Sequence, residues 1–401
     1  MKRSEGRILT THVGSLPRSP RLLDMLVRRN SGESIDAAEF DRQVAGDMDE
    51  VVRAQAAAGI DVGNDGELPR LGFSFYVKDR MVSGFGGVAN RGTVTDFANF
   101  PGYAALKAKL LEIEGTAKGI ERSATLYAAP ECQGAIRYDP ELRAVRDELR
   151  LFRESVDRTS PGFEETFVTA ASPGIISTTL LRSASNPAYR DDREYLSALV
   201  EELRKEYTEI VAAGHVLQLD APDLALERQI MFAGRPLDEF LERVRWHIDA
   251  INQAISGLPR DRVRLHVCWG NWDGPHLDDI ELEPLLPILL EAKVGALSLA
   301  CANPRHQHDW KQFRRHPLPD GMLLVPGVVD VTTNYLEHPE VIADRICTFA
   351  EVVGDPRRII ASTDCGFSTF AGYVMVATDV VWKKLEMLAE GARIASRRLF
   401  L

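Results

Sequence analysis

The sequence predicts an α/β protein with the fold of a (β/α)8 TIM barrel that carries an insertion between its second and third strands. Short β-type runs alternate with long amphipathic segments, which is typical of a parallel α/β architecture. Eight such runs occur along the 401 residues, and polar residues follow several of them. In a closed barrel the carboxyl ends of the strands converge at one mouth, where barrel active sites lie.

The eight β-type runs extend along the whole chain. They cover residues 8–15, 60–65, 166–172, 215–220, 263–269, 294–300, 322–329 and 358–363. Helix-length segments with apolar residues at i, i+3 and i+4 lie between most of them, and several end at a glycine, which favours helix termination. The clearest helical segments are residues 39–59, 192–214, 237–257 and 340–354.

The stretch between the second and third runs, about residues 68–165, is longer than one connecting helix. It contains VKDRMVSGFGGVANRG and a hairpin-like TLYAAPECQGAIRYD. We interpret it as an insertion in a single domain of residues 1–401, because no Pro/Gly/Ser linker and no internal repeat divides the chain. A doubly wound open sheet is the alternative fold, but no GxGxxG motif follows the first run.

Charge and composition limit the classes of partner. A net charge of -11 disfavours a non-specific nucleic-acid binder, which needs a basic surface. The first residues lack the apolar segment of a secretory signal, and no run reaches the ~18 apolar residues of a membrane helix. We therefore expect a cytoplasmic protein without nucleic-acid or membrane partners, and a homo-oligomer is compatible with the sequence. The five cysteines are an odd number without the density of a disulfide framework, so we expect reduced thiols or metal ligands among them.

Three residues form a candidate metal site. His266 and Cys268 are two positions apart in the fifth run, so their side chains face the same side of a strand. Cys365 follows the eighth run, and barrel closure can bring it to the same mouth. An imidazole and two thiolates are a soft ligand set that favours Zn2+, and three protein ligands leave the open position of a catalytic site. Taken singly, each of these residues could instead be an ordinary member of the buried core.

Seven short motifs are spread over nearly the whole chain. They are TTHVGSLPR at 10–18, NDGE at 64–67, QLDAP at 218–222, HVCWGN at 266–271, ANPRH at 302–306, PGVVD at 326–330 and STDCG at 362–366. Together they resemble the cobalamin-independent methionine synthase superfamily, specifically its catalytic C-terminal barrel, in a single-barrel form. One-barrel relatives include the epoxyalkane:coenzyme M transferases.

The resemblance implies functions for particular residues. His266, Cys268 and Cys365 match the zinc ligands of the family. Glu67 and Asp220 match carboxylates that hold the amino group of homocysteine, and Ser15 matches a serine that contacts its carboxylate. The implied reaction is zinc-dependent alkyl or methyl transfer to a small-molecule thiol, which is activated as a zinc-bound thiolate and attacks an alkyl donor.

Two residues are expected to take part in catalysis itself. Asp220 would orient the thiol substrate if that substrate is an amino acid. His12, which lies in the loop of the first run, is the candidate acid for the leaving group or for an opened epoxide.

The sequence departs from the family at three places. Ala300 stands where the family has a fourth zinc ligand, a glutamate, although Cys301 and His306 are nearby. Thr332 replaces the catalytic histidine, and no tryptophan near Thr178 corresponds to the one that packs against folate. We therefore expect an alkyl donor other than methyltetrahydrofolate.

Other functions remain open at this point. Methionine synthase (homocysteine S-methyltransferase) and the addition of a thiol to an epoxide are alternatives within the same chemistry. A metal-free lyase or isomerase would use Asp220, Glu67 and His12 as acids and bases. A zinc-storage or folding-assistance protein with a structural metal site is a further alternative, but structural zinc normally has four ligands in closely spaced pairs.

Overall fold

The computed structural model describes residues 1–113 and 128–401. Its principal sheet consists of the parallel strands β1 (Leu9–Thr10), β2 (Val62–Gly63), β5 (Glu165–Ala171), β6 (Val216–Asp220), β7 (Val263–Val267), β8 (Ala296–Leu299), β9 (Leu323–Val329) and β10 (Ile360–Thr363). The order of neighbours is β1-β10-β9-β8-β7-β6-β5-β2. A parallel bridge between Thr11 and Val62 joins the two ends of this sheet. The predicted α/β barrel is therefore confirmed.

Each of the eight predicted runs overlaps one of these strands, but β1 and β2 are only two residues long. The reason is that side chains replace part of the backbone ladder there. The Asp61 carboxylate accepts the backbone N–H of Thr10 at 2.8 Å, and the Thr11 hydroxyl donates to the Val62 carbonyl at 2.9 Å. The connection between the first two strands thus depends on side chains as well as on the backbone.

The helices that surround the sheet begin and end where local chemistry favours it. The helix Asp192–Ala212 begins after Asp191, whose carboxylate accepts the N–H groups of Arg193 and Glu194, and Gly214 follows its end with a positive φ of 93°. The α-helices among the described residues are Pro20–Asn30, Ala37–Ala57, Tyr76–Arg80, Thr95–Asn99, Pro101–Ile113, Arg143–Asp157, Pro173–Thr179, Asp192–Ala212, Leu237–Ala254, Leu282–Leu289, Pro339–Val353 and Thr378–Phe400.

The predicted insertion is present, but its internal structure differs from the prediction. Strands β3 (Met81–Asn90) and β4 (Ala128–Tyr138) pair with each other antiparallel, so the predicted hairpin-like stretch is one strand of a wider hairpin. The first residues of that stretch lie outside the described residues. The helix Arg143–Asp157 packs against Ala37–Ala57 as a regular barrel helix. The added elements therefore precede Arg143.

Apolar side chains fill most of the lower half of the barrel interior, where Gln218 and Arg264 are the buried polar exceptions on β6 and β7. A cluster of Leu9, Ala296, Leu323, Val325 and Ile360 fills one side of it, and Val62, Phe167 and Val216 fill the other. These layers stabilise the barrel and leave the opposite end of the strands for polar side chains. None of the described helices combines the length and apolar character that crossing a membrane requires.

Candidate metal centre at the barrel mouth

The barrel brings His266, Cys268 and Cys365 together. One ligand atom of each residue lies within 4.8 Å of those of the other two, and all three side chains are buried. The two Sγ atoms are 4.0 Å apart, which is a contact and not a disulfide. Nδ1 of His266 lies 3.4 Å from the Ser298 hydroxyl, whereas Nε2 is buried without a hydrogen-bond partner. These atoms could hold a metal ion.

The three groups shift one another's protonation. A hydrogen bond from the Cys365 thiol, helped by His266, holds the pKa of Cys268 well below its ordinary value although burial opposes this. The pKa of Cys365 is well above its ordinary value, first because it shares its proton with Cys268 and then because it is buried. Burial opposes a charge on His266, but Cys268 and Asp220 raise its pKa. Cys268 is thus the sulfur that ionises first.

The residues near the expected fourth ligand do not join this cluster. Ala300 has no ligand atom, and the buried Cys301 lies outside the metal-compatible groups of the described residues. Both ring nitrogens of His306 have partners, with Nε2 2.8 Å from Asp279 and Nδ1 3.1 Å from Asp309. Burial opposes the charge of His306, but these two carboxylates raise its pKa to about 9. As a cation between two carboxylates, His306 has no lone pair to offer a metal.

Asp220 lies beside the cluster at the carboxyl end of β6. It pairs in register with His266 of β7, and Oδ1 accepts a hydrogen bond of 2.7 Å from Nε2 of Gln218. Burial raises the pKa of Asp220 to about 7; the neighbouring His266 opposes this shift and Glu67 adds to it. A buried carboxylate next to the candidate ligands is suited to bind a cationic group of a substrate.

Glu67 is the second buried carboxylate at the mouth. Its backbone has a φ of 56°, a conformation that non-glycine residues seldom adopt and that occurs at functional sites. Oε1 accepts a hydrogen bond of 2.9 Å from the Thr169 hydroxyl, and Oε2 is buried without a partner. Burial raises its pKa, although Arg70 opposes the shift. Gly14 makes room for it, because a Cβ there would lie 2.6 Å from Oε1.

Ser15 follows β1 and lies against the loop that carries Cys365. A Cβ on Gly366 would lie 2.0 Å from the Ser15 hydroxyl, so glycine is required at that position. The backbone N–H of Phe367 donates to the Ser15 carbonyl at 2.9 Å. The loops after β1 and β10 are therefore joined directly beside Cys365.

His12 is held below the mouth by groups of the protein. Its Nδ1 accepts the backbone N–H of Gly14 at 3.2 Å, which places the proton on Nε2, and Nε2 lies 2.8 Å from Oε1 of Gln55. Burial lowers its pKa to about 4. His12 is therefore a neutral side chain with both ring nitrogens engaged, and its role as the acid for the leaving group stays a prediction.

Two residues of the quoted motifs support the cysteines but were not selected from the sequence. Nδ2 of Asn271 donates to the Gly366 carbonyl at 2.8 Å and so connects the loop of Cys268 to the loop of Cys365. Asp364 accepts the backbone N–H groups of Cys301, Ala302 and Asn303 at 2.7–2.9 Å. The sequence did contain a signal for both residues, because Asn271 lies in the same motif as Cys268, HVCWGN, and Asp364 in the same motif as Cys365, STDCG.

The insertion covers the loops around the mouth. Asp96 is fully buried and accepts hydrogen bonds from Nε1 of Trp272 at 3.2 Å and from the backbone N–H of His276 at 2.9 Å. Arg91 pairs with the buried Glu227 in the segment after β6. The inserted segment thus packs on the segments that follow β6 and β7. Asp220 ends β6, His266 lies in β7, and Cys268 directly follows β7.

A parallel barrel with a His/Cys/Cys cluster and two buried carboxylates at its mouth has the architecture of a barrel enzyme. The family model for the catalytic domain of the cobalamin-independent synthases matches residues 174–381, just over half of the chain. The chain belongs to this family, and it is an enzyme of the methionine synthase-like class.

Individual relatives agree with this family. Methionine synthase of Sulfolobus acidocaldarius is 25% identical over 97% of this chain and 93% of its own length. The 2-hydroxypropyl-CoM lyase of Xanthobacter autotrophicus is 28% identical over 38% of this chain and 46% of its own. A B12-independent methionine synthase from Shewanella sp. W3-18-1, solved in complex with selenomethionine, shares the fold with a TM-score of 0.71 and 20% identity, over 98% of this chain and 99% of that one.

Proposed function

We propose that the protein is a zinc-dependent alkyltransferase that acts on a small-molecule thiol. The observation that carries this proposal is the unpartnered Nε2 of His266, which converges with the sulfurs of Cys268 and Cys365 at the barrel mouth. Their geometry suits zinc, because two thiolates at ~2.3 Å from one tetrahedral ion would be roughly 3.8 Å apart. The separation of 4.0 Å between the sulfurs is close to that value.

When bound, zinc supplies a Lewis acid that stabilises the thiolate form of a substrate thiol near neutral pH. The protein side chains do the rest. His266, Cys268 and Cys365 hold the metal, and Ser298 lies close enough to Nδ1 to orient the imidazole. In the reaction a sulfur–carbon bond forms, the bond from that carbon to its leaving group breaks, and the thiol proton is released.

The polar groups around the cluster suggest an amino-acid thiol. Asp220 and Oε2 of Glu67 are acceptors that a substrate ammonium group can use, and Ser15 can donate to a carboxylate. A charge-assisted hydrogen bond of this kind contributes about 1.5–3 kcal/mol to binding. His12 takes a supporting role in this proposal, because its proton is committed to Gln55.

The alkyl donor is proposed to be smaller than a polyglutamylated folate. Thr332 stands at the position of the expected proton donor, and its hydroxyl donates to Oδ1 of Asp330 at 2.8 Å. Methyl transfer from a tertiary amine needs protonation of a poor leaving group, and loss of a positioned acid costs ~10²–10⁴ in rate. A sulfonium methyl group or a strained epoxide depends less on such an acid.

The proposal is tested by incubating the zinc-loaded protein with homocysteine, coenzyme M, glutathione and a small aromatic thiol. Zinc-edge spectroscopy should show one additional zinc–sulfur bond with the acceptor thiol. The absence of bound metal in active protein would support the metal-free alternative and reject this one.

Methionine synthase itself is the second candidate function. It is favoured by the similarity to the Sulfolobus enzyme along almost the whole chain. Methionine formed from homocysteine and triglutamyl methyltetrahydrofolate at about 1 s⁻¹ or faster, an ordinary turnover number, would establish it and exclude the smaller donor.

A further inference from the structure

Strands β6 and β7 place two pairs of polar side chains inside the barrel. Gln218 pairs in register with Arg264, and two residues further on Asp220 pairs with His266. Because the side chains of a strand alternate with a period of two, both pairs face the interior, one layer above the other. All four residues are buried. The lower pair, Gln218 and Arg264, has no function in the proposal above.

Arg264 is fixed by several neutral groups. Its Nε donates to Oε1 of Gln218 at 2.7 Å, and its other nitrogens donate to the Thr11 hydroxyl at 3.2 Å and to the His12 carbonyl at 2.9 Å. The guanidinium also lies 3.6 Å from the ring centre of Phe167. Arg264 therefore connects β7 to the residues that follow β1 and is held in one position.

The position of Arg264 determines the orientation of the Gln218 amide. A guanidinium only donates hydrogen bonds, so the amide oxygen must face Arg264. The amide nitrogen then faces the mouth, where it donates to Oδ1 of Asp220 at 2.7 Å and to the Val13 carbonyl at 2.5 Å. The reverse orientation would place donor against donor at Arg264 and oxygen against oxygen at Asp220.

We propose that Arg264 and Gln218 are positioning residues that hold the Asp220 carboxyl group in place as the acceptor for the ammonium group of an amino-acid thiol. Gln218 engages Oδ1, so Oδ2 is the oxygen that the substrate takes. The inference rests on the proposed function, and it extends that function to two residues that do not touch the substrate. On this inference, the preference of the enzyme for amino-acid thiols over simple thiols depends on the fixed side-chain amide of Gln218, one layer below Asp220.

The test uses Gln218→Leu and Gln218→Glu with zinc-loaded full-length protein. The glutamate keeps an acceptor for Arg264 but removes the donor to Asp220, so it preserves the lower contact if the leucine variant does not fold. Gln229→Leu is the matched control, because Gln229 is also buried and donates to an aspartate, Asp279, at 2.5 Å. The probes are homocysteine and 4-mercaptobutyrate, which lacks only the ammonium group.

Calorimetry should show that both Gln218 variants weaken the binding of homocysteine by about tenfold or more relative to 4-mercaptobutyrate, as the loss of a charge-assisted contact requires. Zinc content should be unchanged, and Gln229→Leu should keep the wild-type preference. Equal weakening of both thiols, or an unchanged preference, would overturn the inference alone. A wild-type protein that binds coenzyme M, glutathione or the aromatic thiol but neither of these two probes would also overturn the inference alone, whereas one that binds no thiol of the panel would reject the proposed function as well.

Discussion

The Sγ atoms of Cys268 and Cys365 lie 4.0 Å apart although 97 residues separate the two cysteines in the sequence. A disulfide would need ~2.05 Å between the sulfurs, so the pair is held close without being joined. Cys268 follows β7 and Cys365 follows β10, and two strands lie between these in the barrel. Closure of the barrel and the contact between Asn271 and Gly366 therefore create the pair.

Replacing either cysteine should remove the metal. We expect Cys268→Ser and Cys365→Ser to retain much less than the roughly one zinc per chain expected for wild type, because a serine hydroxyl is a poor ligand for a soft site. The melting curve should stay cooperative, since the ligands lie on the functional face of the barrel. Metal analysis of purified protein measures the loss, and Cys347→Ser, outside this cluster, is the control. Full zinc retention in both variants contradicts the ligand assignment.

Removing the Asn271 side chain should weaken metal binding without removing a ligand. Groups that orient metal ligands typically change affinity by ~10–100-fold, and we expect Asn271→Ala to fall in that range. Competition with a chromophoric chelator gives the affinity. Asn252→Ala is the matched control, because Asn252 also donates to a backbone carbonyl, that of Glu291, at 3.1 Å on an exposed surface. The same affinity in both variants would show that the contact with Gly366 does not support the site.

The fold and the His/Cys/Cys cluster could be predicted from the sequence because both follow from patterns that repeat over a few residues. The alternation of short β-type runs with helical segments located all eight strands, and the period of two placed His266 and Cys268 on one side of the fifth run, which contains β7. The same rule applied to Gln218 and Arg264 would have found the layer below. Nothing local predicted the contact between Asn271 and Gly366, which depends on two distant loops.

His12 shows why a residue type at a strand end is not enough. Gln55, which engages its Nε2, lies 43 residues further on in the helix Ala37–Ala57. The packing of that helix against the barrel brings Gln55 to the imidazole. Only the assembled barrel contains this information, so an acid could be predicted from the sequence where a buried neutral histidine is found.

His306 should make the stability of the protein depend on pH. Its pKa is raised to about 9 in the folded state by Asp279 and Asp309, against an ordinary value of 6.5. A raised folded pKa gives stability that is fully present below pH ~6.5 and is lost as the pH rises through about 9. The shift corresponds to roughly 3 kcal/mol at most.

Urea denaturation between pH 6 and 9.5 measures this effect. The free energy of unfolding of the wild type should decrease over this range by more than that of His306→Gln, which cannot titrate. Asp279 and Asp309 remain in the variant, so the difference between the two pH dependences isolates the imidazole. Parallel curves for the two proteins would rule out the stabilising charge on His306.

Neutralising Asp220 should separate amino-acid thiols from simple thiols. Asp220→Asn keeps the shape of the side chain and removes the charge that an ammonium group would meet beside His266. The loss of a charge-assisted hydrogen bond of about 1.5–3 kcal/mol corresponds to a decrease of roughly tenfold to a hundredfold in kcat/KM for homocysteine. The value for 4-mercaptobutyrate should change much less.

Asp223→Asn is the matched control, because Asp223 is also buried but contacts His247 at 2.7 Å. If Asp220→Asn impairs both thiols to the same extent, Asp220 supports the metal cluster or the fold and does not recognise the ammonium group.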